Sequence, residues 1–553
     1  MNSPHRQIST GPLGVEMMKS SETNYITPGE ARWLIVMAAL LALLAFAPLI
    51  WVALRGTEGW QFMGALHNYR DGATYLAKMS LGYEGEWLVR FQHTPEEHSG
   101  AFIQALYPAL GHIARLSALP PLIVFHVARL GASLIMYAAL YQCAAVIWTR
   151  VRTRRIFFII AATGAGLGWL FAPLTGSDQF PDFALLPEAF PFYSTLVNVH
   201  FPLTTACLAL LAALLIAALR PGSSHLTLLR SGLPVGALLS LLLALLYPQA
   251  LVPFGGALVM YTGVLAFRRN PAARRALRWL LAIGLPALPF AIYYMVTVRF
   301  NPAMAEWNAQ NVTPSPNPIA LAIGFGLPLI LAIPALVRAA RRFERNGDWI
   351  MLVWLVVMVI AMYLPTNTQR RFAVGMMIPI AYFATRAVED VWLRLMGGRS
   401  RGLINVLIAA VMAISPMIVL FLPIISMLAG RPDQAVGIFL ERDYAATFNW
   451  LRERSTPEDV ILASPVVGVW IPGWVGSRVV YGHPYETLDA VEKEAAVRAW
   501  FSAGVDCAAL IVQYDIHYVV AGPQEAQLGE NTCLQSMQLA ARADTVSIYV
   551  YVP

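Results

Sequence analysis

Residues 33–54 read WLIVMAALLALLAFAPLIWVAL, an unbroken run from Trp33 to Leu54 without a single charged side chain. A membrane span needs about 20 apolar residues, and this stretch meets that requirement alone. It is too long for the apolar core of a secretory signal, and no small-residue cleavage site follows it. It therefore reads as a retained anchor. The rest of the chain agrees. Of 553 residues, 58% are apolar and 13% charged, against roughly a quarter charged in ordinary globular proteins. Mean hydropathy is +0.58. Soluble globular, disordered, coiled-coil and collagen-like organisations are excluded, and the solvent has to be a bilayer. The formal charge is +7. Four cysteines in a chain of this length exclude a disulfide scaffold.

Working outward from 33–54, ten further apolar stretches reach spanning length: 121–148, 156–174, 201–219, 232–247, 249–267, 276–297, 318–337, 349–365, 372–388 and 403–428. The run 232–267 is too long for one helix, and Tyr247-Pro248-Gln249 divides it into two short spans. Lys and Arg in the connections set the orientation. Every second connection is basic: 150–155, Arg220 with Arg230, 268–278, 338–345, and Arg394, Arg399 and Arg401. Together these hold 18 basic residues, against 8 in the much longer alternate connections. The expectation is a polytopic α-helical membrane protein of about eleven spans, N-terminus inside and C-terminus outside. Residues 1–28 form a disordered cytoplasmic lead, 29–428 the membrane domain with a long first outer loop at 55–120, and 429–553 an outer domain.

The outer domain differs in character. Residues 429–553 carry a net −7, which leaves +14 for the remainder. A helical pattern at 441–454 and another at 489–503 alternate with β-rich runs at 460–462, 479–481, 518–520 and 546–551. That alternation predicts a small α/β domain. Cys507 and Cys533 fall here, either as a disulfide or as two buried thiols. Cys143 and Cys207 lie within spans as packing residues.

Chemistry concentrates on the outer loops. The first holds Asp71, with Glu84, Glu86, Glu96 and Glu97 further on. Tyr75, Leu76, Met79 and Leu81 give the segment after Asp71 a helical apolar face suited to the membrane interface. Phe102 to Leu119 reads as a second interfacial helix. The loop 175–200 has no Lys or Arg but contains Asp178, Asp182, Glu188 and His200. Arg299 and Gln310 lie at 298–317, and Arg370 and Arg371 follow Gln369. Carboxylates on two loops thus share one membrane side with arginines on two others. Carboxylates serve as general bases or metal ligands, and arginines suit phosphate through paired hydrogen bonds. Arg129, about 12 Å into the second span, needs either a carboxylate partner or a phosphate. Gly164-Ala165-Gly166-Leu167-Gly168 has no accompanying βαβ unit, so it points to close helix packing rather than dinucleotide binding. The basic residues are divided among turns with no groove-lining pattern, so no nucleic-acid partner is expected.

This layout resembles the GT-C superfamily of integral-membrane glycosyltransferases, closest to uncharacterised multi-spanning bacterial members. The resemblance rests on the span architecture and on Asp71-Gly72-Ala73-Thr74-Tyr75-Leu76, at the place of the family's first-loop catalytic carboxylate. It also rests on Gln369-Arg370-Arg371, which looks like the late-span arginine directed at a lipid phosphate. The resemblance implies a bacterial inner-membrane enzyme with an extracytoplasmic active face. Its donor would be a polyprenyl-phosphate sugar and its acceptor a glycan, lipid or protein. Asp71 would be the base of an inverting transfer. Arg370, Arg371, His200, Glu188, Asp182, Tyr75, Arg299 and Gln310 would surround the substrates. Asp71, Asp182 and Glu188 would be candidate ligands for a divalent metal, Mg or Mn. Two other classes compete: a lipid or oligosaccharide transporter or flippase, and a catalytically inactive membrane scaffold. A transporter would place its polar groups near the bilayer midplane, often in repeated halves. No internal repeat stands out here.

Overall fold

The computed structural model describes residues 26–55, 59–176, 180–220, 226–344, 347–395, 401–502, 507–529 and 532–551. Most of the 1–28 segment, and Asp178, Arg345 and Arg399, lie outside these residues.

A helix stands at each of the eleven expected places. Among the described residues, nine are long and apolar enough to cross a membrane, from Pro28–Leu54 to Val406–Leu428. The stretches Gly232–Leu246 and Asp348–Met362 are shorter apolar helices. The predicted continuous span at 156–174 is different in the structure. It starts at Val151, breaks after Thr163 and resumes as Gly168–Thr175. Its break meets a second one in Pro318–Arg341, where Gly326 has φ 31°. Pro328 has no N–H to offer the preceding turn. The Leu167 N–H instead donates to the Ile323 carbonyl at 3.0 Å. A Cβ on Gly166 would lie 2.2 Å from the Gly324 oxygen, so the glycine motif does serve close approach. Broken backbone is tolerated at this depth because protein surrounds it.

The first loop carries a helix at Tyr69–Glu84 and another at Leu106–Ser117. Glycines set their contact: a Cβ on Gly82 would lie 2.0 Å from the Pro108 oxygen, and one on Gly111 2.1 Å from the Met79 oxygen. The Tyr69–Glu84 helix does not spread on the interface, as its apolar face suggested. Ala73, Tyr75, Leu76 and Met79 are buried in a core shared with Tyr107, Phe125, Trp470 and Ile471. The C-terminal domain covers that face. The second helix keeps an interfacial character, with Ile113 and Leu116 exposed.

A strand in the first loop, β1 (Trp60–Phe62), pairs antiparallel with β2 (Phe439–Glu441) at the start of the C-terminal domain. Loop and domain are therefore joined on one face of the helical body. The domain holds β3 (Val460–Leu462), β4 (Arg478–Val479), β5 (Ile516–Ala521), β6 (Gln538–Ala543) and β7 (Val546–Val550). Their order is β4-β3-β5-β7-β6. The first three run parallel and the last two antiparallel. Buried Leu462, Val480, Val519 and Trp500 form part of its core. Cys507 and Cys533 form a disulfide.

Candidate functional site

Asp71 lies in the first turn of the Tyr69–Glu84 helix, after Asn68 in the left-handed conformation at φ 48°. The Asn68 amide donates to Asp71 Oδ2 at 2.6 Å. On the other side, His483 Nε2 from the C-terminal domain stands 3.5 Å from Asp71 Oδ1. The Tyr485 N–H donates to His483 Nδ1 at 3.2 Å. That bond leaves the proton of a neutral imidazole on Nε2, facing the carboxylate. Burial raises the Asp71 pKa, but His483 and Asn68 outweigh it, so the carboxyl sits below its ordinary value. Asp71 is ionised at neutral pH and 38% of its side chain stays accessible.

Asp71 opens into a cavity of about 730 Å³. Tyr75, Glu188, His200, Arg370 and Arg371 line the same space. Six of the sequence candidates thus meet at one site, drawn from three loops and the start of a span. Glu188 is buried, with Arg370 Nε 3.6 Å from its Oε1. Burial lifts its pKa, and the attraction of Arg370 and Arg371 only partly offsets this. Arg371 Nη2 donates to Asn311 Oδ1 at 2.8 Å. Both arginines belong to a short 3-10 turn, Gln369–Ala373. The Arg370 N–H fixes that turn by donating to the Thr313 carbonyl at 3.0 Å. Below them the His200 ring reaches the Tyr107 hydroxyl at 2.6 Å through Nδ1. Tyr107 stacks on Tyr75 with centroids 4.3 Å apart.

Three candidates stand elsewhere. Asp182 is fully buried and does not line the cavity. Its Oδ2 accepts from the Gly168 N–H and the Ser415 hydroxyl, both at 2.9 Å. It caps the resumed helix Gly168–Thr175. Gln310 is a strut whose amide donates to the Tyr485 and Thr487 carbonyls at 2.8 and 2.5 Å. Arg299 lines a neighbouring cavity. Among the described residues no group of three or more His, Cys, Asp or Glu side chains is placed to hold a metal. Asp71 faces an imidazole donor and Glu188 faces a guanidinium, while Asp182 lies outside their cavity. This donor set does not fit a divalent ion. Of the two partners expected for Arg129, the carboxylate is not found: the arginine makes no ion pair among the described residues. Instead it donates to the Leu196 carbonyl at 2.7 Å and lies 4.5 Å from the Phe46 ring centroid.

Sequence reasoning missed the loop after β4, Gly482 to Leu488. Besides His483 it supplies Glu486, which ion-pairs with Lys78 at 2.5 Å, with exposures of only 8% and 2%. His93 Nδ1 approaches the same carboxylate at 3.5 Å. Burial alone would raise the Glu486 pKa; Lys78, with His93 and His483, drives it far below its ordinary value. A lysine one turn beyond Thr74, between the apolar Ala77 and Met79, was the signal available, since a buried lysine needs a partner.

The neighbouring cavity, about 610 Å³, is bounded by apolar groups including Leu245, Val252, Met295 and Val298. It shares His200, Tyr247, Trp307 and Arg371 with the polar cavity. A greasy groove among spanning helices thus adjoins a charged chamber, with Arg371 at their common wall.

No family model and no curated protein matches the chain in sequence. Solved structures do match in fold. ArnT from Cupriavidus metallidurans bound to undecaprenyl phosphate aligns over 95% of this chain and 98% of its own, with TM-score 0.57 and 12% identity. The Archaeoglobus fulgidus oligosaccharyltransferase in complex with Zn and sulfate covers 91% and 71%, with TM-score 0.55 and 14% identity. Mycobacterial arabinofuranosyltransferase AftD matches at TM-score 0.50 and 13% identity; this chain covers 40% of its length. The chain has the fold of the GT-C membrane glycosyltransferases.

Proposed function

We propose that this protein is an inverting glycosyltransferase that takes a sugar from a polyprenyl-phosphate donor and passes it to an extracytoplasmic acceptor. The observation carrying this reading is the joined pair of cavities. An ionised Asp71 shares a chamber with Arg370 and Arg371, and Arg371 also borders an apolar groove open to the membrane helices. In this reading the polyprenyl chain lies along the groove and its phosphate meets the arginines. The likeness to ArnT, solved with undecaprenyl phosphate, supports that donor class. In this reading the basic connections favour an N-terminus inside, an odd number of crossings would leave the C-terminus outside, and the site lies on the side of the C-terminal domain.

The chemistry is a single displacement. The acceptor hydroxyl gives its proton to Asp71 as its oxygen bonds to the anomeric carbon. The bond from that carbon to the phosphate oxygen breaks, and the electron pair leaves on the phosphate. Arg370 and Arg371 meet the departing charge from a turn whose backbone Thr313 fixes, with the Arg371 guanidinium already held by Asn311. One such preorganised donor is worth about 10²–10³ in rate. His483 keeps Asp71 ionised and oriented.

The test is transfer of a labelled sugar from undecaprenyl-phosphate donors by the purified full chain. Arg371→Gln should lower kcat at least about 100-fold while Thr368→Ala changes it little. Equal turnover by Arg371→Gln and the wild type would refute the phosphate assignment.

A further inference from the structure

Beside the charged chamber lies a separate pocket of about 310 Å³ that the transfer mechanism does not use. It sits where three loops converge. Ser464, Pro465 and Val466 follow β3; Tyr481 and Gly482 follow β4; Gln524, Gln527 and Leu528 follow β5. All three strands are parallel to one another, so the pocket occupies their carboxyl ends. The order β4-β3-β5 sends the first connection to one side of β3 and the next across to the other. Between β3 and β5 the connections diverge, and loops there open a crevice that in open α/β sheets receives ligands. The Ser464 and Gln524 loops flank that crevice. Nothing in the sequence of 429–553 pointed to a bound ligand.

The lining has a definite chemistry. Tyr481 and Tyr69, the latter stacked on Trp470, bring aromatic rings; Gln527 brings an amide beside Gln524, whose amide nitrogen donates to Glu441 Oε1 at 2.8 Å. Arg70 and Arg498 bring two positive charges. Glu494 returns one negative charge but is engaged by the Tyr481 hydroxyl at 2.7 Å and by Arg498 at 2.7 Å. Arg70 makes no ion pair within 4 Å among the described residues, although Tyr69 and the nearby Glu494 charge both stabilise it, and it rests over Tyr69 at 5.9 Å. Aromatic faces cover the C–H side of a sugar ring, amides answer hydroxyls, and an unpaired guanidinium answers a carboxylate or phosphate. The size suits one or two sugar units.

We infer that the crevice at the carboxyl ends of β3, β4 and β5 binds a saccharide bearing an acidic group. Arg70 and Pro484 line both this pocket and the Asp71 chamber. A glycan seated in the crevice therefore extends past Arg70, the residue next to Asp71, and presents a hydroxyl to it. This places the acceptor and rests on the transferase reading for its purpose, though not for its binding.

The experiment is saturation-transfer NMR on the full chain in detergent, with methyl β-glucuronide, glucose 6-phosphate and methyl β-glucoside as probes. The expected result is saturable binding of at least one acidic probe, at least tenfold tighter than the glucoside. Arg70→Gln and Arg498→Gln should each weaken it about tenfold, and Val466→Trp, which fills the pocket, should abolish it. Asp71→Asn should leave it unchanged, so a failed transfer assay with intact binding would defeat only the mechanism. Equal affinity for neutral and acidic probes, or binding that survives both Arg70→Gln and Val466→Trp, overturns the inference.

Discussion

The Lys78–Glu486 pair is the point where the first-loop helix and the C-terminal domain are held together, and its cost of disruption follows from its burial. At about 3 Å and an effective dielectric near 20, the attraction is about 5 kcal/mol. Desolvation consumes most of that when both partners are present. Removing one partner leaves the other charge buried in a site 2–8% exposed, at a cost of about 3–5 kcal/mol. Glu486→Gln should therefore destabilise strongly, because among the described residues Lys78 keeps only the Thr74 carbonyl at 3.5 Å and the Tyr75 ring 5.9 Å away as further partners. Lys78→Met should do the same by stranding Glu486 beside His93. The combined variant Lys78→Met with Glu486→Leu should recover most of the loss. The assay is a thermal-unfolding series on the detergent-purified chain, with limited proteolysis between 429 and 442 as a second probe. Losses in the double variant equal to the sum of the singles would refute this account of the junction.

Other expectations follow from the same geometry. Acid should weaken the junction: the folded Glu486 pKa is depressed below its ordinary 4.5, so its stabilising contribution is present above that value and is lost as pH falls below it; unfolding followed against pH reads this. In His483→Gln, loss of the imidazole raises the Asp71 pKa, so the acid limb of the pH–rate profile should move to higher pH. Gly166→Ala should destabilise by more than Gly131→Ala, because the first Cβ would meet the Gly324 oxygen at 2.2 Å and the second meets nothing within 4 Å; parallel thermal scans compare them. Reducing Cys507–Cys533, which closes a 26-residue separation, should cost the C-terminal domain about 3.5 kcal/mol, seen as a lower proteolysis threshold in dithiothreitol.

Much of this molecule was legible from hydropathy alone, because a bilayer demands long apolar runs, and among the described residues nine helices at the expected places are long and apolar enough to cross one. Asp71 and the Arg370–Arg371 pair were also legible: few charges remain once the basic turns are set aside, and those few gather on one face. Several of the turn arginines also pair, as Arg152 does with Glu389 and Arg154 with Glu30, so the charge that reads as topology also clamps helix ends. The break at 164–167 was not legible, since apolar periodicity continues across it and the cause, Gly324 to Pro328, lies about 160 positions away. Asp182 read as a site carboxylate because composition cannot tell a buried helix cap from a loop acid. The strand β6 was missed because it is a mostly exposed edge with little apolar alternation. His483 and Glu486 were missed for a related reason. Their roles exist only because the loop after β4 folds back more than 400 residues in sequence, onto the first-loop helix.

The C-terminal domain sends His483 to the Asp71 carboxylate and Glu486 to Lys78. In the proposed reading it thereby closes the reaction chamber and completes the environment of its base.

The central claim is that Asp71 accepts the acceptor's proton, and single-turnover sugar transfer from an undecaprenyl-phosphate donor by Asp71→Asn tests it most directly. The substitution preserves shape and the Asn68 contact while removing the base. The account predicts a fall of about 10²–10⁴ in the transfer rate, with donor binding unchanged. Transfer at the wild-type rate by Asp71→Asn would contradict it.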